Sequence, residues 1–121
     1  MTVSTRCATT DDLAALVPLF DGYRQFYAQR SDLAGARAFL DARLCTGDST
    51  ILLAETHDGS VAGFTQLYPM FSSVRLARTW VLNDLFVADH ARRRGVARAL
   101  LAAAADFARD DGARGRRRTG R

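Results

Sequence analysis

The sequence predicts an α+β (mixed α/β) domain with the element order strand, two helices, three strands and a helix. Apolar residues recur at helical spacing over residues 13–44 and again over 96–107. Three extended segments lie between these regions, joined by short connections that favour antiparallel pairing. Strands paired in this way, beside a separate pair of helices, are typical of the α+β class.

The first elements are a short strand and the helix pair. Residues 3–7 alternate between apolar and polar, as a half-buried strand does. Thr9 or Thr10 caps the first helix. Its apolar positions have helical spacing: Leu13, Leu16, Val17, Phe20, Tyr23 and Tyr27. Ser31 and Asp32 start the second helix, and Gly47 lies just beyond its end.

The three extended segments predict a small sheet. The first runs from Thr50 to Glu55, and Asp58-Gly59 then forms a hairpin turn. The second runs from Val61 to Met70 and is followed by a polar connection over Ser72 to Arg78. The third runs from Trp80 to Val87. A final helix is expected from Gly95 to Arg109, with Gly112 ending it.

The charge distribution predicts a globular domain with a basic tail. The chain has 121 residues, of which 48% are hydrophobic and 25% are charged. Five arginines lie within residues 114–121, and removing their charges from the net charge of +4 leaves −1. We therefore expect one domain over residues 1–113 and a disordered arginine-rich tail over 114–121. A solvated tail is favoured over a nucleic-acid interface.

The sequence also excludes several classes of protein. It has no signal-peptide pattern, and no apolar run approaches the roughly 20 residues of a membrane helix, so we expect a cytoplasmic protein with no membrane partner. Cys7 and Cys45 match no metal or redox spacing and are expected to be reduced thiols in the core or half-buried. His57 and His90 are predicted loop residues with no second metal ligand nearby.

The residues with the clearest chemical meaning lie between Trp80 and Ala104. There a strand leads into a basic loop, then a glycine, then the start of a helix. The first amides of a helix have no internal partner, and the helix dipole adds partial positive charge there. Four arginines surround the same position: Arg92, Arg93, Arg94 and Arg98. This arrangement favours binding of a pyrophosphate. The alternative is a solvated arginine loop before an ordinary helix.

The segment Arg92-x-x-Gly95-x-Ala97 resembles the [Q/R]-x-x-G-x-[G/A] signature of the GNAT superfamily of N-acetyltransferases. The preceding run Asp84-Leu85-Phe86-Val87 is similar to the fourth strand of that family, and with Asn83 it resembles the diamine and polyamine branch. That branch commonly has glutamate at the Asn83 position. The resemblance covers roughly residues 3–113 and is specific over residues 80–101.

The resemblance implies a GNAT-type acyl-CoA acyltransferase fold and direct transfer of acetyl from acetyl-CoA to a primary amine, without a metal. A bulge in the strand 85–87 would let its backbone hydrogen-bond the pantetheine arm. The implied cofactor-binding residues are Leu85, Phe86, Val87, Arg92, Arg93, Arg94, Gly95, Val96, Ala97 and Arg98.

The acceptor amine requires a base, because an alkyl ammonium with a pKa of about 10 must lose a proton before it attacks. Asp84 is the acid within the matching strand and is the candidate base, acting directly or through a water. Its alternative role is structural, accepting hydrogen bonds or pairing with an arginine. Asn83 either orients the substrate or is simply a bulge residue. The candidate substrate contacts are Tyr23, Tyr27 and Tyr68, with packing as their alternative role.

The sequence after Gly112 departs from the family pattern. Members usually continue with a further strand, a helix and another strand (β5-α4-β6), which the arginine-rich residues do not resemble. We therefore expect a C-terminally truncated domain with an unpaired strand edge and impaired catalysis. The acceptor is expected to be a small molecule or a protein amine, and a homodimer that completes the sheet is one route to activity. The alternatives are a non-catalytic CoA-binding remnant and binding of nucleic acids or acidic surfaces through the tail.

Overall fold

A computed structural model of the chain describes the backbone of residues 2–119 and the side chains of residues 2–112. Its helices and strands follow the predicted order, and the mixed α+β fold class is confirmed. The elements are β1 (Val3–Cys7), α1 (Leu13–Phe26), α2 (Leu33–Thr46), β2 (Thr50–Thr56), β3 (Val61–Ser72), β4 (Ala77–Val87) and α3 (Val96–Thr119). Short 3-10 turns precede α1 and α3.

The four strands form one antiparallel sheet in the order β1-β2-β3-β4. Strands β3 and β4 are longer than the sequence predicts. Much of the expected connection over Ser72 to Arg78 is strand, because Ser72 pairs with Ala77 and Phe71 with Arg78. Within residues 2–119, β4 has a strand partner on one side only, so its other edge is open as expected.

The predicted caps position the helix pair on the sheet. Thr9 accepts a hydrogen bond from the amide of Asp11, and the Asp12 carboxylate accepts one from the amide of Thr9, which together form a capping box. Asp32 caps α2 by accepting from the amide of Gly35. Gly47 ends α2 in the left-handed region, at φ 71°, where glycine carries no steric penalty.

Helices cover both faces of the sheet. One apolar cluster joins α1 and α2 to one face and contains the fully buried Leu16, Leu40 and Phe64. The other cluster joins α3 to the opposite face and contains Val96 and Leu100. Successive strand residues point to opposite faces, so neighbouring residues of the strands serve different layers. At the end of β4, for example, Leu85 packs with the α3 cluster and Phe86 with the α1–α2 cluster.

The predicted end of the last helix at Gly112 is wrong, since α3 continues past this residue to Thr119. A glycine inside a helix costs only about 1 kcal/mol, and the preceding turn is fixed to β4. There Asp111 accepts hydrogen bonds from Arg78 and from the indole of Trp80. The division into a domain over 1–113 and a separate tail over 114–121 stays a prediction. Residues 120–121 lie outside the described residues.

The prediction that both cysteines are at least half-buried is also wrong. Cys7 and Cys45 are both free and exposed. Cys7 lies at the end of β1, an edge strand whose residues 4–7 all face solvent. Cys45 lies on the exposed side of α2, near the carboxylate of Asp41.

A buried carboxylate links α1 and α2, the two helices that cover one face of the sheet. Asp21, 4% exposed, accepts hydrogen bonds from the Asp32 amide at 2.7 Å, the Ser31 hydroxyl at 2.7 Å and the Gln25 side chain at 3.0 Å. These bonds, first that from the Asp32 amide and then that from Ser31, lower the pKa of Asp21 below its usual 3.8. The start of α2 is therefore held against α1 by an ionised group.

We predict that Asp21→Asn destabilises the fold in a pH-dependent way. Since the pKa of Asp21 is lower in the folded state, the folded protein binds fewer protons than the unfolded chain near the usual value of 3.8. The contribution of Asp21 to stability is therefore present above that value and lost as the pH falls through the lowered pKa. Urea denaturation at several pH values should show the largest difference from wild type near neutrality, narrowing in acid.

The matched control is Asp110→Asn, which removes an exposed carboxylate from α3 and should leave the unfolding free energy nearly unchanged. A difference between wild type and Asp21→Asn that stays constant from neutral to acidic pH would contradict the interpretation.

Candidate functional site

A β-bulge in β4 marks the centre of the site. Gln66 pairs with Asp84, and the next residue of β3, Leu67, pairs with Leu82, which leaves Asn83 as the extra residue. The strand that contains Leu85–Val87 thus has the expected bulge, and it lies at Asn83, while Leu85–Val87 itself pairs in regular register with β3. The alternative role of Asn83, orienting the substrate, stays a prediction. A bulge redirects the neighbouring side chains, and here the redirected residue is Asp84.

The first of two cavities at the site follows the bulge and has a volume of about 620 Å³. It lies between the end of β4 and the start of α3. Its lining residues are Leu85, Phe86, Val87, Ala91, Arg92, Arg93, Gly95, Val96, Ala97 and Arg98. The structure thus brings together the predicted cofactor-binding residues, except that Arg94 is not part of the lining. We call this space the cradle.

The loop before α3 presents backbone amides and guanidinium groups to the cradle. Arg93 and Gly95 have positive φ values of 66° and 80°, a backbone conformation that forms anion-binding concavities. The first helical hydrogen bond runs from the amide of Ala99 to the carbonyl of Gly95, so the amides of residues 96–98 precede it. A side-chain carbon added at Gly95 would meet no atom within 4 Å, which shows that the loop faces open space.

Arg92 fixes this loop to the end of β4. Its Nε donates to the carbonyl of Val87 at 3.2 Å, its NH1 lies 3.1 Å from Asp89, and its guanidinium lies 5.6 Å from the centre of the Phe86 ring. The carbonyl of Val87 therefore points to the open edge of β4, away from β3. The open edge of β4 and the first amides of α3 therefore border the same cavity, the cradle.

The second cavity lies on the α1–α2 side of β4 and has a volume of about 460 Å³. We call it the acceptor cavity. Its lining residues are Phe20, Tyr23, Arg24, Asp32, Gly35, Ala36, Phe39, Tyr68, Asn83 and Asp84. Of the three candidate substrate residues, Tyr23 and Tyr68 line this cavity and Tyr27 does not. Tyr27 is 61% exposed and packs edge-on against Tyr23.

Asp84 lies at the inner end of the acceptor cavity and is only 4% exposed. Its Oδ1 accepts hydrogen bonds from the Tyr23 hydroxyl and from Asn83 Nδ2, each at 2.8 Å. Its Oδ2 accepts from Gln66 Nε2 at 2.6 Å. These three donors are neutral. The carboxylate is therefore surrounded by neutral hydrogen-bond donors. Of its two expected structural roles, it accepts hydrogen bonds and is not paired with an arginine.

Two tyrosines are held as neutral phenols beside this carboxylate. Burial, and then the hydrogen bond to Asp84, raise the pKa of Tyr23 well above its usual value. Burial, and then the charge of Asp84, raise the pKa of Tyr68. Both hydroxyls therefore remain protonated near neutral pH, and that of Tyr23 donates to Asp84.

The two cavities meet at consecutive residues of β4. Asn83 and Asp84 line the acceptor cavity, and Leu85 begins the lining of the cradle. Leu85 and Val87 pack with the α3 cluster and Phe86 with the α1–α2 cluster, as alternation along a strand requires, and the cradle extends over the end of β4 past all three residues. A molecule bound along the end of β4 would therefore lie next to both the cradle and the acceptor cavity.

Sequence reasoning missed the donors behind Asp84. Gln66 is fully buried, and its Oε1 accepts a hydrogen bond from the Ser49 hydroxyl at 2.8 Å. Thr65, also fully buried, donates to the main-chain carbonyl of Asp84 at 2.7 Å. The available signal was a pair of polar residues, Thr65-Gln66, in the middle of an otherwise apolar strand. Such residues need buried partners.

Among residues 2–112, whose side chains are described, no cluster of potential metal ligands occurs. His57 and His90 are both exposed. None of the helices in the described part of the chain is long and apolar enough to cross a membrane.

Comparison with known proteins gives the family. Residues 16–117 match the model of the acetyltransferase (GNAT) family. The chain belongs to this family of acetyltransferases. It is 54% identical over 112 residues to a protein of Bacillus subtilis (strain 168) described as the uncharacterized N-acetyltransferase YhfO. That match covers 93% of the chain and 74% of the relative.

Solved structures of acetyltransferases share the fold. The crystal structure of a probable acetyltransferase superposes with a TM-score of 0.84 at 44% identity, over 92% of this chain and 73% of that one. A predicted acetyltransferase from Clostridium acetobutylicum, solved with acetyl-CoA, has a TM-score of 0.71 at 12% identity, over 90% of this chain and 75% of that one. The second similarity supports the GNAT fold alone.

Because Gly63 has no side chain, β3 can lie close to β4 and to the start of α3. A side-chain carbon at this position would lie 2.8 Å from the carbonyl oxygen of Phe86 and 3.1 Å from Val96 Cγ1. We therefore predict that Gly63→Ala forces β4 and α3 away from β3. The free energy of unfolding should fall by about 1–3 kcal/mol, and acetyl-CoA should bind more weakly by calorimetry.

Gly112→Ala is the matched control, because the added carbon meets no atom within 4 Å and lies in a helix. It should stabilise the protein by up to about 1 kcal/mol. An unchanged free energy of unfolding for Gly63→Ala would contradict the prediction, because it would mean that a side-chain carbon fits between β3, β4 and α3.

Proposed function

We propose that this GNAT domain binds acetyl-CoA in the cradle and transfers the acetyl group to a primary amine held in the acceptor cavity. The observation that carries the proposal is the meeting of the two cavities at Asp84 and Leu85. One carboxylate is therefore placed beside the segment of β4 along which the cosubstrate would lie.

The cradle has the donor set that a pyrophosphate requires. The amides of residues 96–98 carry the partial positive charge of the helix N-terminus, and Arg93 and Arg98 add exposed guanidinium groups. The open edge of β4 offers backbone hydrogen-bonding groups to the amides of an extended arm. These residues would bind and orient the cosubstrate, which supplies an activated acetyl group as a thioester.

The acceptor cavity suits an ammonium group. Asp84 supplies negative charge, and the rings of Phe20, Tyr23 and Phe39 form part of the wall. Aromatic faces attract cations, and a carboxylate in a site largely shielded from water attracts them more strongly than an exposed one. Phe20 stacks on Phe39 with ring centres 5.6 Å apart, which keeps this wall ordered.

Asp84 is the proposed base. An ammonium bound beside it loses a proton to the carboxylate, directly or through a water, which frees the nitrogen lone pair. The nitrogen then forms a bond to the acetyl carbonyl carbon while the bond from that carbon to sulfur breaks, and the sulfur leaves with the electron pair. Asn83, whose side chain donates to Asp84, would orient the carboxylate or the acceptor.

We predict that Arg98→Glu weakens acetyl-CoA binding by at least about tenfold, because a phosphate contact from a charged group is worth roughly 1.5–3 kcal/mol. Isothermal titration calorimetry measures this directly. Arg37→Glu makes the same charge change on the exposed face of α2, away from the cradle, and should bind acetyl-CoA like the wild type. Equal losses in the two variants would indicate a nonspecific effect of charge.

We predict that Asp84→Asn lowers kcat/KM for the amine by about 100-fold or more, the usual effect of removing a general base. The affinity for acetyl-CoA should be unchanged, since Asp84 lies outside the cradle lining. The assay follows thiol release with polyamines, aminoglycosides, amino acids and lysine peptides as acceptors. The chain contains no lysine, so any acetyl-lysine detected belongs to the acceptor.

The same assay distinguishes the alternatives. Acetyl-CoA binding without transfer to any amine would favour a non-catalytic remnant, and transfer much slower than that of the Bacillus relative would match the expected impairment. A separate nucleic-acid binding assay tests the third alternative. Binding that disappears on deletion of residues 114–121 would favour a role of the arginine-rich tail in contacting nucleic acids.

A further inference from the structure

Gln66 occupies a special position behind the proposed base. It pairs with Asp84 across the β3–β4 ladder, its side chain is fully buried, and it does not line the acceptor cavity. Its Nε2 donates to Asp84 Oδ2 at 2.6 Å, and its Oε1 accepts from Ser49 Oγ at 2.8 Å. The side chain therefore connects the carboxylate to a hydroxyl just before β2.

The chemistry of Asp84 fixes the orientation of the Gln66 amide. An ionised carboxylate only accepts hydrogen bonds, so the NH₂ group must face Asp84. The amide oxygen then faces Ser49, whose hydroxyl can donate to it. A flipped amide would place its oxygen against the carboxylate oxygen in a buried site, which is strongly unfavourable. Asp84 thus selects the orientation of the amide, and Ser49, whose hydroxyl can donate or accept, donates to the amide oxygen that results.

This chain of hydrogen bonds assigns different tasks to the two oxygens of Asp84. Gln66 holds Oδ2 from behind, at the sheet. Oδ1 is held by Tyr23 and Asn83, both of which line the acceptor cavity. A carboxylate anchored through one oxygen cannot rotate freely about its last bond. Oδ1 is therefore kept on the side from which an amine would approach, where the amine or its water would replace one of the two present donors.

We propose that Gln66 is a positioning residue for acetyl transfer, held at its far end by the Ser49 hydroxyl and acting through Asp84. This inference rests on the proposed function, in which Asp84 takes the proton from the amine. It does not require Gln66 to touch either substrate.

The test begins with Gln66→Met, which keeps the size of the side chain and removes both hydrogen bonds. We expect kcat to fall by about 10- to 100-fold, as misplacement of a reacting group by about an ångström does. The KM for acetyl-CoA should stay unchanged, because the cradle lies on the other side of β4. Ser49→Ala is the milder variant and should lower kcat by about 3- to 10-fold, through loss of one neutral hydrogen bond.

The double variant separates positioning from simple destabilisation. If Ser49 acts through the Gln66 amide, Ser49→Ala should cause no further loss of kcat in the Gln66→Met background. If the two substitutions caused independent structural defects, the fold-losses of kcat in the single variants would instead multiply in the double variant. Thr56→Val is the control for a buried hydroxyl lost elsewhere in the sheet, and it should leave kcat unchanged.

A second measurement on the free protein checks the geometry without an activity assay. In ¹⁵N–¹H spectra, the Gln66 side-chain amide should give a pair of resonances that exchange slowly with water, and Ser49→Ala should speed that exchange. Unchanged kcat in Gln66→Met, or multiplied losses in the double variant, would overturn the inference alone. Wild-type protein that acetylates no amine would overturn the proposed function, and the inference with it.

Discussion

The pairing of β3 with β4, interrupted once at Asn83, is the constraint on which the rest of the site depends. After the bulge the register is regular, so Asp84 faces the α1–α2 side while Leu85 faces the α3 side. Gly63 allows this pairing to be tight at the point where α3 also packs. A shift of one residue would exchange the two faces and move the carboxylate out of the acceptor cavity.

The helices complete what the strand pair begins. Helix α1 brings Tyr23 to the carboxylate, and its own position is fixed by Asp21, which binds the start of α2. Helix α3 brings its N-terminal amides to the opposite side of β4, and Asp111 secures a later turn to Arg78 and Trp80. Each cavity therefore has one wall from β4 and one wall from a helix that is anchored by a buried or half-buried carboxylate.

Much of this could be predicted from the sequence, because the cradle is local. Its residues lie within a single strand–loop–helix segment from Leu85 to Arg98, and a helix start with flanking arginines has the same chemistry wherever it lies. The element order was likewise contained in the hydrophobic periodicity and in the turn at Asp58-Gly59.

The environment of Asp84 could not be predicted in the same way. Its donors Tyr23 and Gln66 lie 61 and 18 positions away in sequence, and their meeting depends on strand register and helix packing. The continuation of α3 beyond Gly112 was missed because a glycine costs a helix only about 1 kcal/mol and does not by itself end it. The exposed cysteines follow from the edge position of β1 and from the face that α2 presents to solvent.

The separation of the two cavities by β4 has a consequence for the order of events. Neither lining contains a cysteine or a serine that could carry the acetyl group between them. In the proposed function each ligand has its own cavity, so neither must leave before the other arrives. The proposed arrangement therefore allows acetyl transfer with both substrates bound at once, and in that case initial-rate plots for the two substrates would intersect rather than run parallel, the pattern of a ternary complex.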